Sequence, residues 1–378
     1  MKLEGLRVVD LSTFLPGPYL TMTLADHGAE IIKVEQPGEG DPGRSIGPRE
    51  GGTTVFFRNM NRGKKSVVLD LKAAAGRETL HALCRTADVF VETFRPGVAA
   101  RLGADYETLS SLNPRLVYCS ITAFGQTGPY RDVPAHDLAV EALAGSLSVT
   151  LGEDGEPAIP GIPAADVISS TQALSAVLMA LYRREKTGRG DFIDMSMHDA
   201  TLAACRNLLG PAFAEKRDPD PKQERTTGGS AFYRIYRTRD GRHVVLAGQE
   251  PKFVRNLLGA LGRMDLAALC ERGPGPHQTP LIEFLRTVFA ERTMAEWVDW
   301  FRGRDICFAP VKTLREGFDD EHARSRGMLI VDDAGREHVG PAIKFLDEPA
   351  RPSLSVPGLG EHTEQILGEL RRGERQER

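Results

Sequence analysis

The sequence predicts an α/β protein, with a mostly parallel, doubly wound sheet in a large domain and a smaller α+β domain after it. In the first half, apolar runs alternate with helical patterns, and these runs are residues 6–11, 29–35, 66–71, 88–92 and 116–122. The runs are continuous in hydrophobicity, which is typical of strands buried on both faces. Strands that alternate with helices in this way favour a parallel sheet joined by helical crossovers.

Two helices and one more strand complete the predicted large domain. Residues 18–27 form the first predicted helix, because a proline stands near its start and a glycine follows its end. Residues 166–186 form the clearest helix, with leucines and valines on one face and cations in the last turn. Residues 192–197 are predicted to be the next strand.

The pattern changes after a polar segment, residues 215–225, which is rich in Lys, Asp and Pro and is predicted to be a linker. Beyond it, two β runs flank Asp240 and Gly241, which is a strong hairpin signal, and three helical patterns follow. We therefore predict a large domain that begins with residues 1–215 and a small α+β domain over residues 226–318. Residues 319–378 are predicted to be a loop-rich segment with one last helix.

Composition excludes several classes of protein. The net charge is −4, so the strong basic field of a nucleic-acid-binding protein is absent. We find no signal-peptide pattern, and the apolar run at 173–182 is too short for a membrane span. The cysteines have neither zinc spacing nor a CxxC pair, so we expect reduced thiols, no metal site and a cytoplasmic protein; they are Cys84, Cys119, Cys205, Cys270 and Cys307.

Two nucleotide-binding motifs fail in this sequence. A dinucleotide fold wants GxGxxG after the first strand, but residues 12–18 read STFLPGP. Residues 63–66, GKKS, imitate the end of a phosphate-binding P-loop, but Arg58 stands where the first glycine is required. NAD and ATP chemistry are therefore disfavoured.

Three loops rich in glycine and cations lie near the predicted sheet, at residues 38–44, 58–65 and 93–97. The first and third follow strands, at the sheet edge where parallel α/β proteins bind ligands. Cations there can hold phosphates and Phe94 can contact an adenine ring. Composition alone nevertheless favours an ordinary solvated surface.

Asp166 stands at the start of the long predicted helix. Capping of free backbone amides is the usual role of an aspartate there. The positive end of the helix dipole also keeps a carboxylate ionised, which is what a nucleophile or general base needs. His136 and Asp137 precede a short predicted helix that Asp137 can cap, and spacing alone does not pair His136 with Asp166.

Several ordered motifs together resemble one family. They are LEGLRVVDLS (3–12), GP (17–18), LADHGAEIIKVE (24–35), NRGKKSVVLDLK (61–72), ETFRPG (92–97), SITAFGQTGP (120–129), KTGRG (186–190) and GEHT (360–363). The sequence resembles the class III CoA-transferases, the group that includes formyl-CoA transferase, carnitine CoA-transferase and α-methylacyl-CoA racemase. The likeness covers nearly the whole chain.

The resemblance implies a Rossmann-like large domain built from both chain ends, to which residues 319–378 return, and an interlocked homodimer. It implies coenzyme A or acyl-CoA as a substrate, a small carboxylic acid as its partner and no tightly bound cofactor. Asp166 matches the catalytic aspartate of the family. The positions that match CoA-binding residues are Leu69, Asp70, Leu71, Lys72, Thr93, Phe94, Arg95 and Arg101.

The family offers two chemistries for Asp166. A transferase forms a mixed anhydride and then an aspartyl-CoA thioester. A racemase pairs the aspartate with a histidine across the substrate α-carbon; His136 stands where racemases carry that histidine, within a similar His-Asp pair. Glu250 lies in a racemase-like segment that transferases can share. A CoA-binding paralogue without chemistry is a third alternative, which the retained Asp166 disfavours.

Departures from the family pattern narrow the range of expected substrates. Leu15 and Gln36 replace a glutamine and an arginine of formyl-CoA transferases, so formyl-CoA and oxalate are disfavoured. A glycine-run loop over the site is absent unless Gly228 and Gly229 form it. Ala135 stands where the racemase context has glycine. We predict CoA transfer between an acyl-CoA and a carboxylic acid, with 2-methylacyl-CoA racemisation as the alternative.

Overall fold

The computed structural model describes residues 1–152 and 154–376. The chain forms two compact units. The first unit comprises Met1–Ala144, Gly161–Ala204 and the chain from Phe318 onward, and the second unit comprises Gly145–Pro160 and Cys205–Gly317. Residues 145–160 and 205–215 fall within the predicted large domain but belong to the second unit.

The strands are, in chain order, β1 (Arg7–Asp10), β2 (Glu30–Glu35), β3 (Arg49–Glu50), β4 (Thr53–Thr54), β5 (Lys65–Val68), β6 (Val89–Glu92), β7 (Val117–Thr122), β8 (Phe192–Ser196), β9 (Tyr233–Arg237), β10 (His243–Ala247), β11 (Phe308–Pro310), β12 (Leu329–Val331) and β13 (Glu337–Val339). The helices are α1 (Pro16–Asp26), α2 (Val55–Asn61), α3 (Ala74–Arg85), α4 (Val98–Arg101), α5 (Tyr106–Leu112), α6 (Asp137–Ala144), α7 (Ala164–Thr187), α8 (Met197–Ala204), α9 (Pro251–Ala260), α10 (Thr279–Phe289), α11 (Met294–Phe301), α12 (Leu314–Asp319), α13 (Glu321–Ser325) and α14 (Thr363–Gln376).

The first unit contains a six-stranded sheet in the order β5-β2-β1-β6-β7-β8, and every neighbouring pair is parallel. Val8 of β1 lies opposite Ile31 of β2 and Val89 of β6. The α/β prediction with a parallel sheet is therefore confirmed. The chain runs outward from β1 to β5 and then returns to β6, so the order reverses between β1 and β6.

Helices cover both faces of this sheet, which explains why its strands read as continuous apolar runs. Residues of α1, α6 and α7 pack in the core of one face, and residues of α3, α5 and α14 pack in the core of the other. Representative buried residues, in that order of helices, are Leu20, Val140, Val177, Leu80, Leu109 and Ile366.

The second unit has a core of its own. Its three-stranded antiparallel sheet has the order β11-β10-β9, and Val245 pairs with Ile235 across the predicted hairpin, which is confirmed. Its buried aromatic side chains are Phe289 of α10 and Trp297 and Phe301 of α11, which pack in one core with residues of α9. A capping box at Thr293 and Glu296 begins α11.

Helix α7 is longer than the apolar run at residues 173–182, which by itself is too short to span a membrane. In the part of the chain that the structure describes, it is the one helix that is long and apolar enough to cross a membrane by length and composition. A core helix passes the same test. One side of α7 packs on the sheet, and the buried Arg184 near its end forms a 2.9 Å ion pair with Asp88.

A buried ion-pair network joins the ends of β1 and β2 to neighbouring segments. Lys64 Nζ lies 3.0 Å from Asp10 Oδ2, and both side chains are fully buried. Thr21 of α1 donates to the same oxygen of Asp10 at 2.6 Å. Lys33 of β2 pairs with Asp41 at 2.7 Å and also donates to the Ser12 carbonyl, so the loops after both strands are held from beneath.

Burial alone would raise the pKa of Asp10, but Lys64, Lys33 and the hydroxyl donors lower it to about 2. The folded-state pKa therefore lies below the value of an unfolded aspartate. The ionised form stabilises the fold above the unfolded pKa, and that contribution is lost as the pH falls toward 2.

We predict that Asp10→Asn lowers the free energy of unfolding by about 3–5 kcal/mol at pH 7, because it leaves Lys64 buried without its counter-charge. Urea denaturation measures this loss. Asp305→Asn is the control, because Asp305 and Lys252 form an exposed pair, and it should change stability by less than about 1 kcal/mol. Equal stability of the two variants would contradict the structural role given to Asp10.

Candidate active site

The candidate site lies at the carboxyl ends of β1 and β6, where the strand order reverses. Parallel α/β sheets bind ligands in the crevice at such a switch point. The two loops touch there, because the Thr13 amide donates to Thr93 Oγ1 at 3.1 Å. Gly17 fits between them; a Cβ on it would lie 2.1 Å from Ser12 Cβ and 3.0 Å from Thr93 Cγ2. Only glycine lets α1 begin this close to the loops.

Asp166 lies in the first turn of α7, and its side chain does not cap the helix. Asp137 Oδ1 accepts the Asp166 amide at 3.0 Å, and Glu141 Oε1 accepts the Ala164 amide at 3.2 Å. The cap residue itself is Pro163, which has no side-chain cap hydrogen bond. Within residues 1–152 and 154–376, no donor reaches the Asp166 carboxylate, so the capping interpretation of Asp166 is wrong.

The electrostatics of Asp166 differ from the expectation as well. Burial and the nearby carboxylates Asp137 and Glu141 raise the pKa of Asp166 to about 7. The helix dipole was expected to keep this group ionised well below neutral pH, but the two capping carboxylates add negative charge at the same helix end. Asp166 therefore changes its charge near neutrality.

Asp137 lies beside Asp166, and His136 precedes Asp137 in the chain. Asp137 begins α6 and bonds to the Asp166 backbone, while the exposed ring of His136 precedes it. The His136 ring makes an edge-to-face contact with Phe14, with ring centroids 5.9 Å apart. The structure thus brings Asp137 to Asp166, with His136 next to Asp137 in the chain, a link that sequence spacing alone did not show.

The positions predicted to bind CoA follow β5 and β6 at the same edge. Lys72, Arg95 and Arg101 are exposed, and none has an ion-pair partner among the residues that the structure describes. Asp70 accepts the Lys72 amide at 3.0 Å, which shapes the turn after β5. Leu69 is buried, Leu71 and Phe94 pack against the core, and Thr93 bonds to Thr13. These cations are free to meet an anionic ligand.

The basic loop at residues 58–65 has a structural role instead. Arg58, Arg62 and Lys64 are buried, and they pair with Glu50, Asp26 and Asp10 respectively. Their charges are neutralised inside the protein, so these three cations are not free to hold phosphates, in keeping with the failed P-loop motif at 63–66.

A cavity of about 460 Å³ opens beside the β6 loop. Arg95 and Arg131 contribute cations to its lining, and Tyr106 and Phe192 contribute aromatic rings. Glu92 is buried there and accepts the Phe94 amide at 2.6 Å. Burial raises the pKa of Glu92 to about 7, and Asp194 adds to the effect.

Glu92, Glu141 and Phe14 were not predicted as site residues. The spacing of Glu141 does indicate a place beside Asp137, because it lies four residues later and so shares a helix face with it. Glu92 ends a strand, as several acidic residues do in this chain, and Phe14 shows no signal. No described group of three or more His, Cys, Asp or Glu residues is arranged to hold a metal ion.

Glu250 belongs to the second unit. It is exposed, precedes α9 and lines a cavity of about 350 Å³ within that unit, together with Arg225 and Glu271. Gly229 lies against the backbone of Gln223, where an added Cβ would come within 2.2 Å of it, and Gly228 has a positive φ of 109°. The roles predicted for Glu250 and for the two glycines stay predictions.

Comparisons with known proteins establish the family of the chain. Residues 3–363 match the model of CoA-transferase family III. Succinyl-CoA:glutarate CoA-transferase of Mus musculus is 33% identical over 98% of this chain and 86% of its own, and alpha-methylacyl-CoA racemase of Homo sapiens is 35% identical over 98% and 94%. The crystal structure of a CAIB/BAIF family protein from Brucella suis has a TM-score of 0.83 at 31% identity, covering 97% of this chain and 99% of that one. The chain belongs to CoA-transferase family III.

Proposed function

We propose that the protein transfers coenzyme A between an acyl-CoA and a carboxylic acid through a covalent intermediate on Asp166. The observation that carries this proposal is the Asp166 carboxylate, which lies in the first turn of α7, is half-buried and accepts no hydrogen bond from a described residue. The family membership and the transferases among the relatives support the same chemistry.

The proposed reaction has four steps. An Asp166 oxygen attacks the thioester carbonyl, the carbon–sulfur bond breaks, and a mixed anhydride and CoA thiolate result. The thiolate attacks the Asp166 carbonyl and releases the first acid as a carboxylate, which leaves an aspartyl-CoA thioester. The acceptor carboxylate then attacks this thioester to form a new anhydride and free thiolate. Attack of the thiolate on the acceptor carbonyl yields the new acyl-CoA and restores Asp166.

Racemisation of a 2-methylacyl-CoA is the second candidate, and the position of His136 favours it. His136 adjoins Asp137, which bonds to the Asp166 backbone, so an acid and a base can stand near one α-carbon. A racemase is also among the relatives. His136→Ala should reduce racemisation severely but reduce CoA transfer only mildly.

A homodimer is part of the proposal. Leu178, Met179 and Tyr182 form an exposed apolar face on α7, with exposed fractions of 41%, 65% and 69%. Apolar surface of this kind on a long helix is typical of an interface. A second copy of the chain is the partner that the family resemblance implies.

We predict a covalent adduct on Asp166. Incubation with an acyl-CoA and then hydroxylamine should convert Asp166 to its hydroxamate, which peptide mass spectrometry detects. The acids tested, as CoA thioesters for donors and as free carboxylates for acceptors, should include succinate, glutarate and malate. Asp166→Asn should lose the adduct and at least about 10³-fold of the activity while CoA binding survives. Asp132→Asn, in an exposed ion pair, is the matched control. Exchange of the substrate α-hydrogen in deuterated water without any adduct would favour the racemase instead.

We predict an acid limb in the rate of transfer, because only ionised Asp166 attacks the thioester and its pKa is about 7. The rate should rise about tenfold from pH 6 to pH 8, following the ionised fraction. Asp137→Asn removes one neighbouring charge but keeps an acceptor for the Asp166 amide. It should therefore move the acid limb to lower pH, and an unchanged limb would contradict the assignment to Asp166.

We predict that the exposed cations of the switch-point edge bind the phosphates of CoA. Lys72→Ala and Arg101→Ala should each raise KM for acyl-CoA about tenfold with little change in kcat, since each removes a charge-assisted contact. Lys252→Ala removes a cation of the second unit that pairs with Asp305 and serves as the control. Equal KM values for all three variants would exclude the proposed phosphate contacts.

A further inference from the structure

Phe14 has a backbone conformation that its residue type does not favour. Its φ is 63°, in the left-handed region, and Lys216 is the one other non-glycine residue with positive φ among the described residues. A residue with a Cβ pays steric strain there, and such strain persists only where the surroundings impose it. Phe14 lies in the loop after β1, at the switch point, whereas Lys216 belongs to the second unit.

The loop holds Phe14 in this conformation from both sides. Asp10 accepts the Ser12 amide at 2.9 Å, and Thr93 accepts the Thr13 amide at 3.1 Å. The Phe14 amide itself points to Asp41 Oδ1 at 3.4 Å, and Asp41 is fixed by its buried pair with Lys33. The chain then enters α1 at Pro16. The backbone on both sides of the strained residue is therefore held by hydrogen bonds to Asp10, Thr93 and Asp41.

The strained conformation directs the ring away from the core. The Phe14 side chain is 39% exposed, although a benzyl group gains free energy from burial. Its ring meets the His136 ring edge-to-face, at 79° between planes. Within the described residues the His136 ring makes no side-chain hydrogen bond, and Phe14 supplies its one aromatic ring contact.

We propose that Phe14 is a positioning residue, which fixes the orientation of the His136 ring next to Asp137, the residue that holds the Asp166 amide. The inference rests on the proposed function, since His136 matters only if chemistry occurs at Asp166. Phe14 acts through His136 and needs no contact with substrate. An edge-to-face pair has a defined geometry, so it selects one orientation of a ring that is otherwise free to turn.

Two substitutions separate positioning from structure. Phe14→Gly removes the ring and relieves the strain, so Tm should stay equal or rise while kcat falls about threefold or more. Phe14→Tyr keeps the ring and should retain wild-type kcat. KM for acyl-CoA should remain unchanged in both. Lys216→Gly, which relieves strain in the second unit, should leave kcat unchanged. A merely structural role predicts the opposite for Phe14→Gly: a lower Tm with normal kcat in the folded fraction.

A double-mutant cycle tests the route through His136. In a His136→Ala background, Phe14→Gly should cost no further kcat, because residues that act as a unit are not additive. A full additional loss would overturn the inference. Intraresidue NOEs from the His136 ring protons report the ring orientation independently of ring-current shifts. With the ring protons assigned by comparison with His136→Gln, these NOEs should change in Phe14→Leu but not in Phe14→Tyr, with no substrate present. If neither the wild type nor any variant shows turnover or an Asp166 adduct, the proposed function fails, whereas unchanged NOEs in Phe14→Leu defeat this inference alone.

Discussion

The pair between Asp10 and Lys64 is the interaction on which the site depends. Both side chains are fully buried and lie 3.0 Å apart, so neither charge is tolerable without the other. The pair joins the end of β1 to the segment before β5, and Thr21 adds α1. The Lys33–Asp41 pair extends the network to the loop that follows β2. The geometry at the switch point is therefore set beneath the surface, by buried charges.

This arrangement separates two populations of cations. Lys64, Arg62 and Arg58 are buried and paired, and they hold the scaffold. Lys72 and Arg101 stand exposed at the sheet edge and can bind phosphate. Asp166 has the complementary property, since its carboxylate is left without donors while its neighbours on α6 cap the helix. The Lys, Arg and Asp residues that stabilise the fold are therefore different from those proposed to bind phosphate or react.

The sequence was sufficient for the sheet but only partly for the site. Continuous apolar runs identified five of the six strands of the sheet, because burial on both faces leaves a local signature. The cap of α7 was assigned to Asp166 because the true acceptor, Asp137, is distant in the chain and only packing brings it close. The buried partners of the cations at 58–65 were not predicted, since a sequence does not show that Arg62 finds Asp26. Phe14 gave no signal, because its backbone angle is imposed by surrounding loops.

The two carboxylates at the start of α7 have a consequence for the order of events. An acceptor acid that approaches ionised Asp166 meets three like charges, those of Asp166, Asp137 and Glu141. Thioester formation on Asp166 cancels one of them. In the proposed reaction the negative charge of the site therefore sets the order of binding. The resting enzyme repels the acceptor acid, and the repulsion is weaker after the first half-reaction, when Asp166 is a neutral thioester.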